Sequence, residues 1–440
     1  MSERKIFFGV LSVKFVLLVL FICVFGVGRL VWSDSALYVD IGRHIFQGHG
    51  FSETFANTVG YRPNAIRTPL YPFIVGFFDW GFPYGLVVVS LIQCFIAAGI
   101  AVYTYRIGRF WLSERMALIP ALFVSFEPLM SAMHILIMPE PLLVLTLLIY
   151  LYYGIIFLRE RERRAFWGMT SGLLIAIYTK PVALYVVVFT FLFLFWRDRR
   201  AALKFCFIVA LILSPWVARN YHTFGVLDMT QDDKGNLCSW ELTAVMATKY
   251  HVDSTNWSLT NPLPEYQSVL ERCKSTGAAL KIFVTEYPRE FIVASALSTA
   301  AMLTNEGYSV FFEKPQQEQI KPHHNYLTPP VLVMRDWPSK VLAAARELRA
   351  PELVAVIVGK IMWKIIALLS IFGLYMLYQE YRVEALFFLT YITYFISATV
   401  VSTGFGVGAR LRYPINPLLL ILACYATVRI KEYYARKSLS

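Results

Sequence analysis

Apolar residues gather into runs near 6–32, 84–105, 116–137, 139–158, 166–179, 181–196, 203–218, 354–377, 384–401 and 413–429. About 20 helical residues cross the ~30 Å hydrocarbon layer of a bilayer. The runs therefore predict about ten transmembrane helices and an all-α polytopic membrane protein. The first run follows Arg4 and Lys5, exceeds the length of a signal-peptide core and lacks a small-residue cleavage site, so it reads as a signal anchor.

The polar segments between the runs set a sidedness. With both termini on one side, the clusters Arg106/Arg109/Arg115, Arg159/Arg161/Arg163/Arg164, Arg197/Arg199/Arg200/Lys204 and Arg429/Lys431/Arg436/Lys437 share that side. The positive-inside rule makes it the cytoplasm. Lys180 and Pro181 interrupt residues 166–196. A single helix there would bury an ammonium at mid-membrane and carry the next basic cluster outside, both unfavourable. Two short arms are predicted instead, with Lys180 at their apex, recessed from the outer surface.

The chain then divides into an N-terminal membrane module at 1–218, with its first outer loop at 33–83, an extracytoplasmic segment at 219–353 and C-terminal membrane helices at 354–440. Residues 219–353 are expected to form a small mixed segment, with amphipathic helices near 277–305 and 339–349 and turns around Pro315, Pro322, Pro329 and Pro330. The first outer loop is expected to hold a short amphipathic helix capped by Ser33, whose stripe of Leu37, Ile41 and Ile45 suits a membrane surface.

Composition agrees, with 57% hydrophobic and only 16% charged residues. A net charge of +12 raises the question of nucleic acid, but the cations lie in clusters that topology already explains, so no nucleic-acid partner is inferred. Of the six cysteines, only Cys238 and Cys273 share a long polar segment, where a disulfide can form if that segment is extracytoplasmic. Cys23, Cys94, Cys206 and Cys424 lie within or beside apolar runs and read as small hydrophobes. There is no P-loop, no G-x-S-x-G and no dinucleotide fingerprint, and the histidines, adjacent His323 and His324 included, lack zinc-ligand spacing. The "NWS" at 256–258 matches a glycosylation sequon, a pattern short enough to recur by chance.

On the predicted topology one membrane face collects Asp34, Asp40, Arg62, Arg67, Glu140, Lys180, Arg219, Arg410 and Arg412. Asp34 falls in a first helical turn, where the helix dipole favours a carboxylate, and a positioned carboxylate is a competent general base. Tyr38 lies on its side at i+4, while Asp40, Arg43 and His44 lie on another. Arg67 precedes the turn that carries Tyr71 and is a candidate phosphate ligand, because a guanidinium binds phosphate oxygens through two parallel hydrogen bonds. Arg62 reads equally well as an interfacial cation. Glu140, between two prolines, is either a first-turn acid or a residue that binds the acceptor or a metal, and Glu127 lies deeper. A recessed Lys180 needs an anion, either a carboxylate or a substrate phosphate. Glycines 404, 406 and 408 precede Arg410 and Arg412 in a loop that permits close backbone approach.

The order of these features resembles the GT-C glycosyltransferases. It rests on Asp34 with Tyr38, "RTPLYP" at 67–72, "PEPLL" at 139–143, "TKP" at 179–181, "SPWVARNYHTFG" at 214–225 and "RLRYPINPLLLI" at 410–421. The likeness is to the protein O-mannosyltransferases and to the aminoarabinose and galacturonate transferases of lipid A and lipopolysaccharide core. The resemblance implies a GT-C fold, a polyprenyl-phosphate sugar donor, a glycan, lipid or protein acceptor and an extracytoplasmic site on a bacterial inner membrane. It also implies Asp34 as the base, Lys180, Arg67, Arg410 and Arg412 around the donor phosphate, and Tyr38, Asp40, Glu140, Arg62, Tyr71 and Arg219 in support. Many relatives place an acidic pair where this chain has "DS", so no cofactor is required by the pattern and a divalent metal stays open. The competing readings are a transporter or flippase of lipid-linked sugars, against which no internal repeat is found, and an O-antigen ligase or polymerase.

Overall fold

The computed structural model describes residues 2–54, 60–230, 236–253, 264–273, 275–311 and 326–437. The sequon at 256–258, Pro315, Pro322, His323 and His324 lie outside the described residues. The chain forms two units, one of Met1–Thr230, Leu369–Ile392 and Tyr413–Ser440, the other of Gln231–Leu368 and Thr393–Arg412.

The helices of the N-terminal region are α1 (Glu3–Phe25), α2 (Ser33–Phe46), α3 (Leu70–Gly81), α4 (Gly85–Gly108), α5 (Glu114–Phe126), α6 (Pro128–Ile135), α7 (Glu140–Glu160), α8 (Arg163–Thr179), α9 (Val186–Arg197) and α10 (Arg199–Phe224). Strands β1 (Ser52–Thr54) and β2 (Tyr61–Pro63) pair antiparallel, with Glu53 opposite Arg62. Five helices follow: α11 (Leu242–Tyr250), α12 (Pro264–Arg272), α13 (Thr276–Glu286), α14 (Pro288–Thr304) and α15 (Trp337–Glu347). The last three are α16 (Ala350–Glu380), α17 (Arg382–Thr403) and α18 (Asn416–Lys437).

Among the described residues, six helices are long and apolar enough to cross a membrane, or seven if α5 and α6, bent by 58°, make one span. Of the ten expected runs, those at 166–179, 181–196 and 413–429 fall short of that length or apolarity, and the bounds of two others shift for local reasons. The first run stops at Phe25 because Gly26 takes φ +79°, and a short 3-10 turn covers Val27–Leu30. The run at 116–137 breaks at Pro128, which has no N–H to give the helix, and Glu127 caps α6 by accepting the Met130 N–H at 2.9 Å. The break at Lys180 falls where the sequence places it, leaving α8 and α9 with 17 and 12 residues, short of a full crossing. The second half of α18 carries Arg429, Lys431 and Glu432.

The first loop is held by a close helix crossing. A Cβ on Gly42 of α2 would lie 2.7 Å from the Gly76 nitrogen, and one on Gly76 of α3 would lie 2.2 Å from the Gly42 oxygen. Only two glycines let these backbones touch, and that contact seats the loop on a core of Leu18, Leu30, Val39, Val75, Val89 and Ile137. Ile41 is fully buried, so the stripe expected to lie on lipid faces protein at that position. Lys14 of α1 is also fully buried and donates to the Ser131 hydroxyl at 2.7 Å.

In the second unit the Cys238–Cys273 disulfide is formed across 35 residues. It borders a core of Leu242, Val245, Met246, Tyr266, Val269 and Phe283. The described part of this segment is helical, and among the described residues the only strands are β1 and β2. The helix expected over 277–305 divides at Pro288 into α13 and α14.

Glu241 is fully buried, and neither carboxyl oxygen has a hydrogen-bond partner among the described residues. Burial pushes its pKa up to about 8. An acid whose folded pKa lies above its unfolded one binds more protons in the folded state, so its stabilising contribution is complete in mild acid and is lost as pH rises through about 8. Glu241→Gln should therefore raise the thermal midpoint at pH 8.5 and leave it nearly unchanged at pH 4.5, a contrast of several kcal/mol at roughly 1.4 kcal/mol per pKa unit. Equal midpoints for variant and parent at pH 8.5 would refute a neutral buried carboxyl.

Candidate active site

α2 begins at Ser33, with Trp32 rather than Ser33 in the capping position, and Trp32 makes no side-chain cap. Asp34 is thereby in the first turn, beside backbone N–H groups that favour a carboxylate. Its side chain is 40% exposed, and Oδ1 lies 4.0 Å from Arg67 Nη2. The Arg67 guanidinium lies over the Tyr38 ring, 5.0 Å from its centroid. Tyr38 meets Tyr71 edge to face at 5.2 Å. Both tyrosines are buried and form a floor, and the Tyr71 hydroxyl donates to Gln93 Oε1 at 2.6 Å.

Arg67 is placed by Asn64, whose Oδ1 accepts the N–H groups of Ile66 and Arg67, both at 2.9 Å. The Asn64 amide donates to Glu53 Oε2 at 2.7 Å, tying this turn to β1. Sequence reasoning passed over Asn64, although an asparagine directly after Pro63 carries the signal of a side chain that bonds its own turn.

Several residues expected in support instead hold the loop together. Asp40 accepts the Thr54 N–H at 2.7 Å and the Thr54 hydroxyl at 2.8 Å, fixing β1 to α2. Arg62 donates to Glu53 at 2.5 Å across the ribbon. Arg219 donates from Nη1 to the Asn64 carbonyl at 2.8 Å and from Nη2 to the Phe51 carbonyl at 3.0 Å, and its guanidinium lies among the rings of Phe51, Trp216 and Phe224. These contacts account for Arg219 as a bolt between α10 and the first loop.

On the other side, Glu140 opens α7 behind Pro139 and is 2% exposed. Lys180, in extended backbone between α8 and a 3-10 turn at Pro181–Ala183, donates to Glu140 Oε1 at 2.9 Å. The two sides approach through Met138, whose sulfur accepts from the Ser35 hydroxyl at 3.4 Å. Asp34 thus neighbours Ser35 in sequence, and Glu140 follows Met138 by two positions. Between α3, α8 and α10 runs a wholly apolar groove of about 400 Å³, lined by Leu70, Phe73, Leu174, Ile175, Tyr178 and Ile212. Pro69 also lines it, and Pro69 and Tyr178 stand two positions in sequence from Arg67 and Lys180.

Arg410 and Arg412 belong to the second unit. Arg412 is 1% exposed, donates to the Met302 carbonyl at 2.6 Å and stacks 3.6 Å from the Trp363 ring centroid. A guanidinium so enclosed packs its own unit. Arg410 is half-buried in the same turn, Ala409–Arg412. Among the described residues, no group of three or more His, Cys, Asp or Glu could hold a metal ion.

Residues 66–218 match the family model of dolichyl-phosphate-mannose-protein mannosyltransferase, a stretch that includes Arg67, Glu140 and Lys180. No curated protein and no solved structure matches the chain. Over residues 66–218, about a third of its length, the chain is thus similar to a family that belongs to the GT-C superfamily of membrane glycosyltransferases.

Proposed function

We propose that this protein is an inverting glycosyltransferase that moves a sugar from a polyprenyl-phosphate donor to a hydroxyl or phosphate acceptor on the extracytoplasmic face of a bacterial inner membrane. The observation that carries this reading is the half-exposed Asp34 carboxylate set beside Arg67, with Lys180 beyond Met138 and Glu140. Asp34 takes the proton of an acceptor hydroxyl. The oxygen lone pair forms the new bond to the anomeric carbon from the face opposite the phosphate, and the old C–O bond breaks with its electron pair leaving on polyprenyl phosphate. That leaving group is already a stable anion, so it calls for charge stabilisation rather than a general acid, the role of Lys180 and Arg67.

The groove between α3, α8 and α10 suits an isoprenoid chain, because it is lined only by apolar surface, and its lining residues Pro69 and Tyr178 lie two positions in sequence from Arg67 and Lys180. The Cys238–Cys273 disulfide supports an oxidising compartment for the second unit's polar segment, in line with the positive-inside count. Comparing envelope glycan and lipid masses from cells with and without the gene tests the reading, since the added mass names the sugar and its carrier. Purified protein should transfer that sugar from its polyprenyl phosphate, and Ile175→Trp, which fills the groove, should raise the donor KM about tenfold, some 1.4 kcal/mol. A mass difference with no transfer by the purified protein would favour a transporter and reject this function.

A further inference from the structure

We infer that Gln93 is a positioning residue that ties the Asp34 side of the site to the Lys180 side and so holds the proposed base and the proposed phosphate-binding ammonium at one spacing; this rests on the function proposed above. Gln93 lies in the apolar run of α4 and is 2% exposed. A primary amide offers two N–H donors and an oxygen with two lone pairs, and all four are in use. Nε2 donates to the carbonyls of His134 at 3.2 Å and Leu136 at 2.5 Å. Oε1 accepts the Tyr71 hydroxyl at 2.6 Å and the Met138 N–H at 3.4 Å.

These partners belong to the two arms of the site. Through Tyr71 the contacts run to Tyr38, to Arg67 and to Asp34. Through Leu136 and Met138 they run along the α6–α7 linker to Glu140, which holds Lys180. The linker has left the helix, so its backbone groups need outside partners. Ser90, one turn before Gln93, donates to the Ile135 carbonyl at 2.7 Å, and the Leu30 carbonyl accepts the Ile137 N–H at 2.9 Å. Gln93 alone of these touches both the linker and Tyr71. An aliphatic side chain there would leave both arms without their shared partner, and an ionised carboxylate would face two carbonyl oxygens.

The test uses the full chain in lipid nanodiscs, with undecaprenyl phosphate as the probe, and compares each variant with the parent at the same pH. Gln93→Leu should weaken binding about tenfold, and its effect should shrink clearly in the Lys180→Met background, because part of it acts through that ammonium. Gln93→Glu should bind nearly as the parent at pH 5, where the acid form keeps one donor, and more weakly at pH 8; a merely structural role predicts no such pH profile. Parent-like binding by Gln93→Leu, losses that multiply in the double variant, or a pH-independent Gln93→Glu would each overturn the inference. If Lys180→Met alone leaves binding unchanged, the phosphate reading of Lys180 fails instead. Amide hydrogen exchange over residues 135–142 then judges Gln93 by itself: faster exchange in Gln93→Leu supports the clamp, and unchanged exchange overturns it.

Discussion

Asp34→Asn is expected to lower sugar transfer by about 10²–10⁴-fold, the usual contribution of a general base, while the protein still inserts and folds. The substitution keeps the side chain's size and its place in the first turn of α2 and removes its charge, and with it the ability to take a proton. Structural damage should be small, because the ion pair it breaks is long, at 4.0 Å, with Asp34 40% exposed. Such exposed pairs contribute roughly 0–1 kcal/mol. The floor of Tyr38 and Tyr71 does not depend on the carboxylate charge, so donor binding should change little and the loss should appear in kcat. Steady-state transfer kinetics alongside a thermal midpoint check this division. Full activity in Asp34→Asn would remove Asp34 from the role of base.

Lys180→Met should remove donor binding, and it carries a structural cost that has to be separated from the chemical one. Glu140 is 2% exposed, and breaking a buried pair by deleting one partner typically costs about 3–5 kcal/mol. The double variant Lys180→Met/Glu140→Gln removes both charges and should recover most of that stability. Its donor KM should stay raised, because the cation proposed to meet the phosphate is still missing. Thermal midpoints with donor KM values for the two variants distinguish the roles. Recovery of both stability and KM in the double variant would make the pair structural and leave the phosphate to Arg67.

The features legible in the chain were those set by composition along it. Apolar run length marked the long helices, and a lysine followed by proline marked the break between α8 and α9. The paired cysteines of the polar segment form their disulfide. The same one-dimensional pattern misjudged where helices stop, because Gly26 and Pro128 end runs whose hydropathy continues past them. It also grouped cations by expected sidedness. Arg62, Arg219 and Arg412 looked alike on that basis, yet each is engaged in a different packing task.

The sequence by itself determined that the chain lives in a membrane and that Asp34, Arg67, Glu140 and Lys180 stand at helix ends and turns, because hydropathy and backbone propensity act between near neighbours. Tertiary structure alone decided which of them meet. Arg219 finds its carbonyl partner 155 residues away, and Gln93 joins chain segments more than 20 residues off in either direction. Such partnerships depend on how helices cross, and that rests on contacts such as Gly42 against Gly76, which have meaning only once the two helices lie side by side.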